Sequence, residues 1–258
     1  MPELRVITFN TWKCDGNYLR RLDILVEALT ELDPDLLLLQ EAFRSDDGEH
    51  DTAGRVAREL GLHCSYHPAR FKPRALNGAV TPSGSGLAIL SRDLPVNGGA
   101  IRLEQDPRDG DRWAQWADLD VEGLAVRVIN THLTHLDDRE DLRQRQLGQI
   151  VEFATGESRC DVTVLGGDFN TEPNGPAMGA LEGLAQGAWE ATDGKPPPAT
   201  CPVDAPGLCI DHLYRFITEN AEASWKTMER VLDSPHPDGL FPSDHAGLMG
   251  CLQIEPSR

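Results

Sequence analysis

Asp168 and Asn170 stand two residues apart at the end of the run Val162-Thr-Val-Leu-Gly-Gly-Asp168-Phe-Asn170. On extended chain that spacing sends a carboxylate and a carboxamide the same way, so the pair can meet a divalent metal and a phosphoryl oxygen together. Similar side chains close or open other apolar runs: Asn10 after Leu4 to Phe9, Glu41 after Leu-Leu-Leu-Leu-Gln40, and Asn130 with His132 after Leu124 to Ile129. Asp211 follows Ile210, and Asp244-His245 precedes the run from Gly247. Taken singly, an Asn at a strand end is ordinarily a turn former, a lone Glu a helix cap, a lone His a satisfied core residue and a lone Asp an ion-pair partner. Their recurrence at the edge of one expected strand after another points instead to a shared cleft.

The elements that must carry them are legible from periodicity. Leu4 to Asn10 reads as a strand, and Leu19, Leu22, Leu25, Val26 and Leu29 recur at helical spacing between Tyr18 and Leu32, where Asp33-Pro34 stops the helix. Asp35 to Glu41 is a second strand, apolar enough to be covered on both sides. The pattern returns later: a strand to His132, a helix from about Asp138 to Thr155, and a strand from Val162 to Leu165 that leads through two glycines to Asp168 and Asn170. Two strand-helix-strand halves predict two sheets packed face to face with helices outside and one cleft at their shared end.

Between the halves, Ala53 to Leu62 reads as a short helix, Leu87 to Ser91 as a strand, and residues 66–86 as a long loop whose Arg70, Lys72 and Arg74 make a locally basic stretch. Trp113 to Val121 alternates and should pair with residues 124–130 across Glu122-Gly123. A short helix is expected near Pro176 to Leu184, a stiff Pro-rich loop over 193–209, and strands at Ile210 to Tyr214 and Gly247 to Ile254.

With 258 residues and no evident linker, one large domain spanning 1–258 is expected. The 42 acidic and 24 basic side chains leave a formal charge of −18. That field repels polyanions, so nucleic acid is disfavoured as a partner unless metal or a basic patch offsets it. No signal core or transmembrane run is evident and the six cysteines lack Cys-x-x-Cys spacing, which makes a cytoplasmic protein with free thiols the expectation. Cys201 and Cys209, flanking a Pro/Gly-rich loop, would pair only in an oxidising compartment.

Phe-Asn10-Thr-Trp, Leu-Gln-Glu41, Asn130-Thr-His132-Leu, Gly-Gly-Asp168-Phe-Asn170, Ile-Asp211-His and Ser-Asp244-His245, in this order, resemble the endonuclease/exonuclease/phosphatase superfamily. It includes deoxyribonuclease I, exonuclease III-like repair enzymes, inositol polyphosphate 5-phosphatases, neutral sphingomyelinases and deadenylases. The resemblance covers nearly the whole chain and implies an α+β, four-layer α/β/β/α sandwich of two mixed sheets, DNase I-like. It also implies a hydrolase of phosphate esters that uses Mg²⁺, with Mn²⁺ or Ca²⁺ as alternatives. Glu41 would be the principal metal ligand, with Asn10 and Asp244 in support. His245 would be the general base, held by Asp211, while Asp168 orients the attacking water and Asn170 and His132 donate to phosphoryl oxygens.

Asn130, Arg70, Lys72 and Arg74 are the expected substrate contacts. The Asn130-Thr-His132-Leu segment differs from the Tyr-x-Pro-Asn of abasic-site enzymes and is shared with deoxyribonuclease I, the sphingomyelinases and several phosphatases. No apolar hairpin or basic amphipathic helix suggests docking to lipid. A phosphodiesterase is therefore the leading expectation, a nuclease the second and a phosphomonoesterase the third. A non-catalytic module that binds a phosphorylated ligand is the reading from a different class.

Overall fold

The computed structural model describes residues 2–156, 160–191, 195–218 and 221–256. One six-stranded sheet runs β13-β14-β1-β2-β6-β3 and the other β11-β12-β10-β9-β8-β7. The first holds β1 (Glu3–Asn10), β2 (Leu36–Ser45), β3 (His63–Phe71), β6 (Ser83–Ser91), β13 (Ala221–Val231) and β14 (Gly247–Pro256). The second holds β7 (Asn97–Arg102), β8 (Trp113–Val121), β9 (Leu124–His132), β10 (Val162–Asp168), β11 (Ala185–Gly187) and β12 (Asp211–Phe216). A two-stranded excursion, β4 (Arg74–Leu76) with β5 (Ala79–Thr81), leaves the first sheet between β3 and β6.

Both strand-helix-strand halves form as their periodicity requires. Helix α1 (Tyr18–Leu32) links the parallel pair β1 and β2, and α3 (Glu140–Thr155) links the parallel pair β9 and β10. Asp33 ends α1 in a left-handed conformation directly before Pro34. Helix α2 (Thr52–Leu60) starts where the Asp51 carboxylate accepts the Gly54 N–H, and ends at Gly61 with φ of 68°. A core between the sheets contains Val6, Leu36, Leu38, Val126, Val164 and Leu213. A second core packs β1 and β2 on α1 and α2, and a third packs β9 and β10 on α3. Four layers result.

The long loop expected over 66–86 is instead strand over much of its length, since β3 and β6 pair antiparallel from His63 to Phe71. The segment from Pro176 closes as a 3-10 turn ending at Leu181 rather than a helix to Leu184. Of the loop expected over 193–209, residues 193–194 lie outside the described residues; 195–209 contain no helix or strand. Cys201 and Cys209 are both free thiols. No described helix is long and apolar enough to cross a membrane.

One edge of the sandwich collects polar residues for a topological reason. Parallel strands β1, β2, β9 and β10 bring their C-terminal ends there, whereas β12 and β14, antiparallel to β10 and β1, bring their starts. Asp168 lies opposite His132 on one side and Asp211 on the other, so the three side chains occupy adjacent strands at one level. Gly167 allows this close pairing, because a Cβ there would lie 2.1 Å from the Thr131 carbonyl oxygen.

Candidate active site

Asp168 is the hub of the cleft. Its Oδ2 accepts from the Asn10 amide at 2.9 Å and lies 3.5 Å from His132 Nε2 and 3.9 Å from His245 Nε2. Its Oδ1 accepts the backbone N–H of Asn170 at 3.0 Å, across a turn where Asn170 takes φ of 50°. The two sheets are thereby joined through side chains, since Asn10 belongs to the first and Asp168 to the second. His245 Nδ1 meets Asp211 Oδ2 at 2.8 Å, which leaves Nε2 directed toward Asp168. Asn170 donates one amide hydrogen to the Leu133 carbonyl at 3.1 Å and, with Asp244, lines the same cleft.

Burial sets the charge states. For Asp168, desolvation and then the neighbouring Asp211 push the carboxyl pKa up. Burial disfavours charge on His245, but Asp211 outweighs it and raises the imidazole pKa. His132 goes the other way: burial first, then the charge of Arg112, holds it well below the ordinary value, so it is a neutral hydrogen-bond donor at pH 7. Burial also pushes the Asp244 carboxyl up, against the pull of His245.

Glu41 reaches the cleft through a bulge. Leu39 pairs with Ala88 and Ala42 with Gly86, so Gln40 and Glu41 together stand opposite Leu87, with Glu41 at φ of 55°. Its carboxylate is 17% exposed and meets the Lys13 ammonium at 2.7 Å. Lys13 and Trp12 both have left-handed backbone, a costly pair of conformations for side-chain-bearing residues. Buried Arg21 secures that turn by donating to the carbonyls of Thr11, Trp12, Lys13 and Asp15, and it ties in Pro242 ahead of Ser243. Ser243 in turn donates to the Asn10 carbonyl at 2.7 Å.

Two expected substrate contacts lie elsewhere. Asn130 is fully buried between the sheets, where it accepts from Gln40 at 2.8 Å and donates to the carbonyls of Leu39 and Ala88. Its amide is used up in joining the layers. Arg74 is buried too, donating to Ser85 Oγ at 2.7 Å and to Ser83, which anchors the β4–β5 excursion. Arg70 and Lys72 do line the cleft. Asn130→Ala should therefore cost about 2–3 kcal/mol in urea unfolding through lost buried hydrogen bonds, with KM little changed; the opposite pattern would restore Asn130 to the substrate.

Lys13, Arg112 and His135 also line the cleft and were not singled out by sequence pattern. Arg112 is held by Asp109 at 2.9 and 2.7 Å and donates to the His132 carbonyl. Nothing local in the sequence signals this, because the clamp depends on Asp109 being drawn under Thr134.

Two groupings suit a cation. Asp168, Asp211 and His245 offer ligand atoms within 4.8 Å of one another, and Asp211 Oδ1 has no hydrogen-bond partner among the described residues. Glu41, with Asn10 and Asp244 on the same cleft, forms the other, and an ammonium already stands against its carboxylate. Glu41 is the better match for a hard cation that keeps several waters, because Asp211 is completely buried and committed to His245.

The sequence model of the Endonuclease/Exonuclease/phosphatase family matches residues 7–245. Among solved structures, humanized TDP2 of D. rerio superposes with a TM-score of 0.75 at 17% identity, covering 97% of this chain and 99% of that one. The human Nocturnin catalytic domain, with bound sulfate anion, gives 0.74 at 22% identity over 98% and 94% of the two chains. An endonuclease/exonuclease/phosphatase from Beutenbergia cavernae gives 0.72 at 21% identity over 98% and 72%. Among curated proteins, none matches this sequence.

Proposed function

Because this chain belongs to the endonuclease/exonuclease/phosphatase family, whose members hydrolyse phosphate esters with a divalent metal, we propose that it is a Mg²⁺-dependent phosphodiesterase acting on a soluble ester in the cytoplasm, with residues 1–258 working as one unit. The observation that carries the reading is the convergence of Asn10, His132 and His245 on a single oxygen of Asp168, beside Glu41.

Asp168 accepts a hydrogen bond from the attacking water and orients it, while His245, held at Nδ1 by Asp211, takes the proton through Nε2 in its neutral form, so turnover should rise with pH toward the raised pKa of that imidazole. Neutral His132 and the free amide hydrogen of Asn170 donate to phosphoryl oxygens, where negative charge accumulates during in-line displacement. Glu41, with Asn10 and Asp244, would hold the cation, which when bound would supply charge neutralisation at the reacting phosphate. Arg70 and Lys72 attract the anion to a chain whose overall charge of −18 would otherwise repel it.

Assayed against bis-p-nitrophenyl phosphate, plasmid DNA, sphingomyelin and inositol phosphates, the protein should hydrolyse the small diester with Mg²⁺ and lose that activity in EDTA. Turnover that survives EDTA would remove the metal, and inertness toward every phosphodiester would remove the reading. A nuclease is the second reading, favoured by the basic cleft mouth at Arg70 and Lys72, and plasmid cleavage outpacing diester hydrolysis would select it.

A further inference from the structure

A second pocket opens directly off the catalytic cleft and shares Lys13, Glu41, Arg70, Arg112 and His132 with it. Its own walls are Leu87, Trp113 and the backbone of Gly86 and Gly110. Two bulges at one level of β6 build it. On β2, Gln40 and Glu41 stand opposite Leu87; on β3, Pro68 pairs with Gly86 and Arg70 with Ser85, so Ala69 is the extra residue. A bulge turns the side chain beside it, and here the two bulges aim Glu41 and Arg70 into the same space from opposite sides of one strand.

Neighbouring residues are shaped to the same end. A Cβ on Gly110 would lie 2.9 Å from Arg70 Cδ, so the missing side chain leaves a passage for the arginine stem. Trp113 is braced by His67, ring to ring at 4.6 Å, and Arg112 by the buried Asp109. The acids of the pocket are already matched, Glu41 with Lys13 at 2.7 Å and Asp111 with Arg102 at 3.3 Å. Arg70 has no ion pair or hydrogen bond from its side chain among the described residues. The uncompensated charge in the pocket is thus a guanidinium, whose fork matches phosphate oxygens in pairs.

We propose that this side pocket takes a second phosphate of the substrate, which is then a soluble phosphodiester carrying a phosphate a few bonds from the scissile phosphorus. This rests on the phosphodiesterase reading above and narrows its substrate class. The shared walls bring the two anionic groups side by side, and the apolar face of Leu87 and Trp113 accepts the carbon skeleton between them.

The test compares the p-nitrophenyl ester of thymidine 5′-phosphate with the same ester bearing a 3′-phosphate, in wild type, Arg70→Ala and, as a control for lost positive charge, Lys226→Ala at an exposed position of β13 that lines neither pocket. The 3′-phosphate should raise wild-type kcat/KM by about tenfold or more, as one charge-assisted contact would. That ratio should fall to near one in Arg70→Ala and persist in Lys226→Ala. A wild-type ratio near one, or a ratio retained without Arg70, overturns the proposal, as does faster cleavage of a single-stranded oligonucleotide than of the bisphosphate ester. Should neither ester be hydrolysed, the phosphodiesterase reading fails, and calorimetry in EDTA decides the pocket separately. Thymidine 3′,5′-bisphosphate should bind wild type about tenfold more tightly than Arg70→Ala, and equal affinities would overturn it.

Discussion

His245→Ala should lower kcat by about 10²–10⁴-fold, the usual contribution of a positioned proton acceptor. Its imidazole has one side anchored, at 2.8 Å to Asp211, and the other aimed at the hub carboxylate. Added Mg²⁺ should not restore the rate, because the lost group moves a proton. Stability provides an independent reading. The folded pKa of His245 is raised above 6.5, so its ion pair stabilises the protein fully below about pH 6.5, and this contribution declines as pH rises through the folded value. Measured in EDTA by urea unfolding, the stability advantage of wild type over His245→Ala should be greatest in acid and shrink toward alkaline pH. Wild-type turnover by the variant would remove His245 from the chemistry.

Glu41→Gln should weaken the apparent affinity for Mg²⁺ by at least about 10–100-fold, the range found when only an outer partner of a metal ligand is lost. At limiting Mg²⁺ the rate should fall on the order of 10²-fold, and excess Mg²⁺ should recover part of it. Glutamine keeps the shape that the bulge presents but removes the charge, and it also leaves the Lys13 ammonium without its 2.7 Å partner. Lys13 would then add repulsion at the place the cation must occupy. The competing position makes the contrast sharp: if Asp211→Asn abolishes Mg²⁺ binding while Glu41→Gln leaves it intact, the ion belongs among Asp168, Asp211 and His245.

How far such residues can be read in advance follows from where their strands lie. Of the eight central strands, β1, β2, β8, β9, β10, β12 and β14 show the apolar or alternating runs that burial requires, whereas β6 shows one only from Leu87 to Ser91, because its buried first half is Ser83-Gly-Ser-Gly86. The strands at the four sheet margins, β3, β7, β11 and β13, were read as loop or not recognised. β13 buries Ala221, Ala223 and Trp225 in the core but turns Glu222, Lys226 and Thr227 to water, so it offers no apolar run. Asp168, His132 and Asp211 were legible because β10 sets them side by side with its two neighbours.

Asn130 and His132 carry the same sequence signal and end in different places. Two residues apart on one strand, both point off the same face, but one meets Gln40 in the other sheet while the next clears its edge into the cleft. Only the depth at which the layers meet separates them. Arg74 and Arg70 differ likewise: the β4–β5 excursion folds back over Arg74, whereas the margin strand holds Arg70 out across the cleft mouth. Lys13 owes its place to a left-handed turn that a distant arginine secures, which no local pattern encodes.

The extra residue in β3 carries an evolutionary corollary. Removing Ala69 would restore an unbroken ladder with β6, in which Arg70 keeps Ser85 as its partner but loses the turn that the bulge gives its side chain. Because β3 has a neighbour on one side only, such a length change would leave the hydrolytic residues in place. The same deletion within β2, bonded on both sides, would displace Glu41 and disturb the middle of the sheet. If the side pocket takes the second phosphate as proposed, a single-residue gain or loss at this margin would alter that pocket while leaving Asp168, His245 and Glu41 where they are.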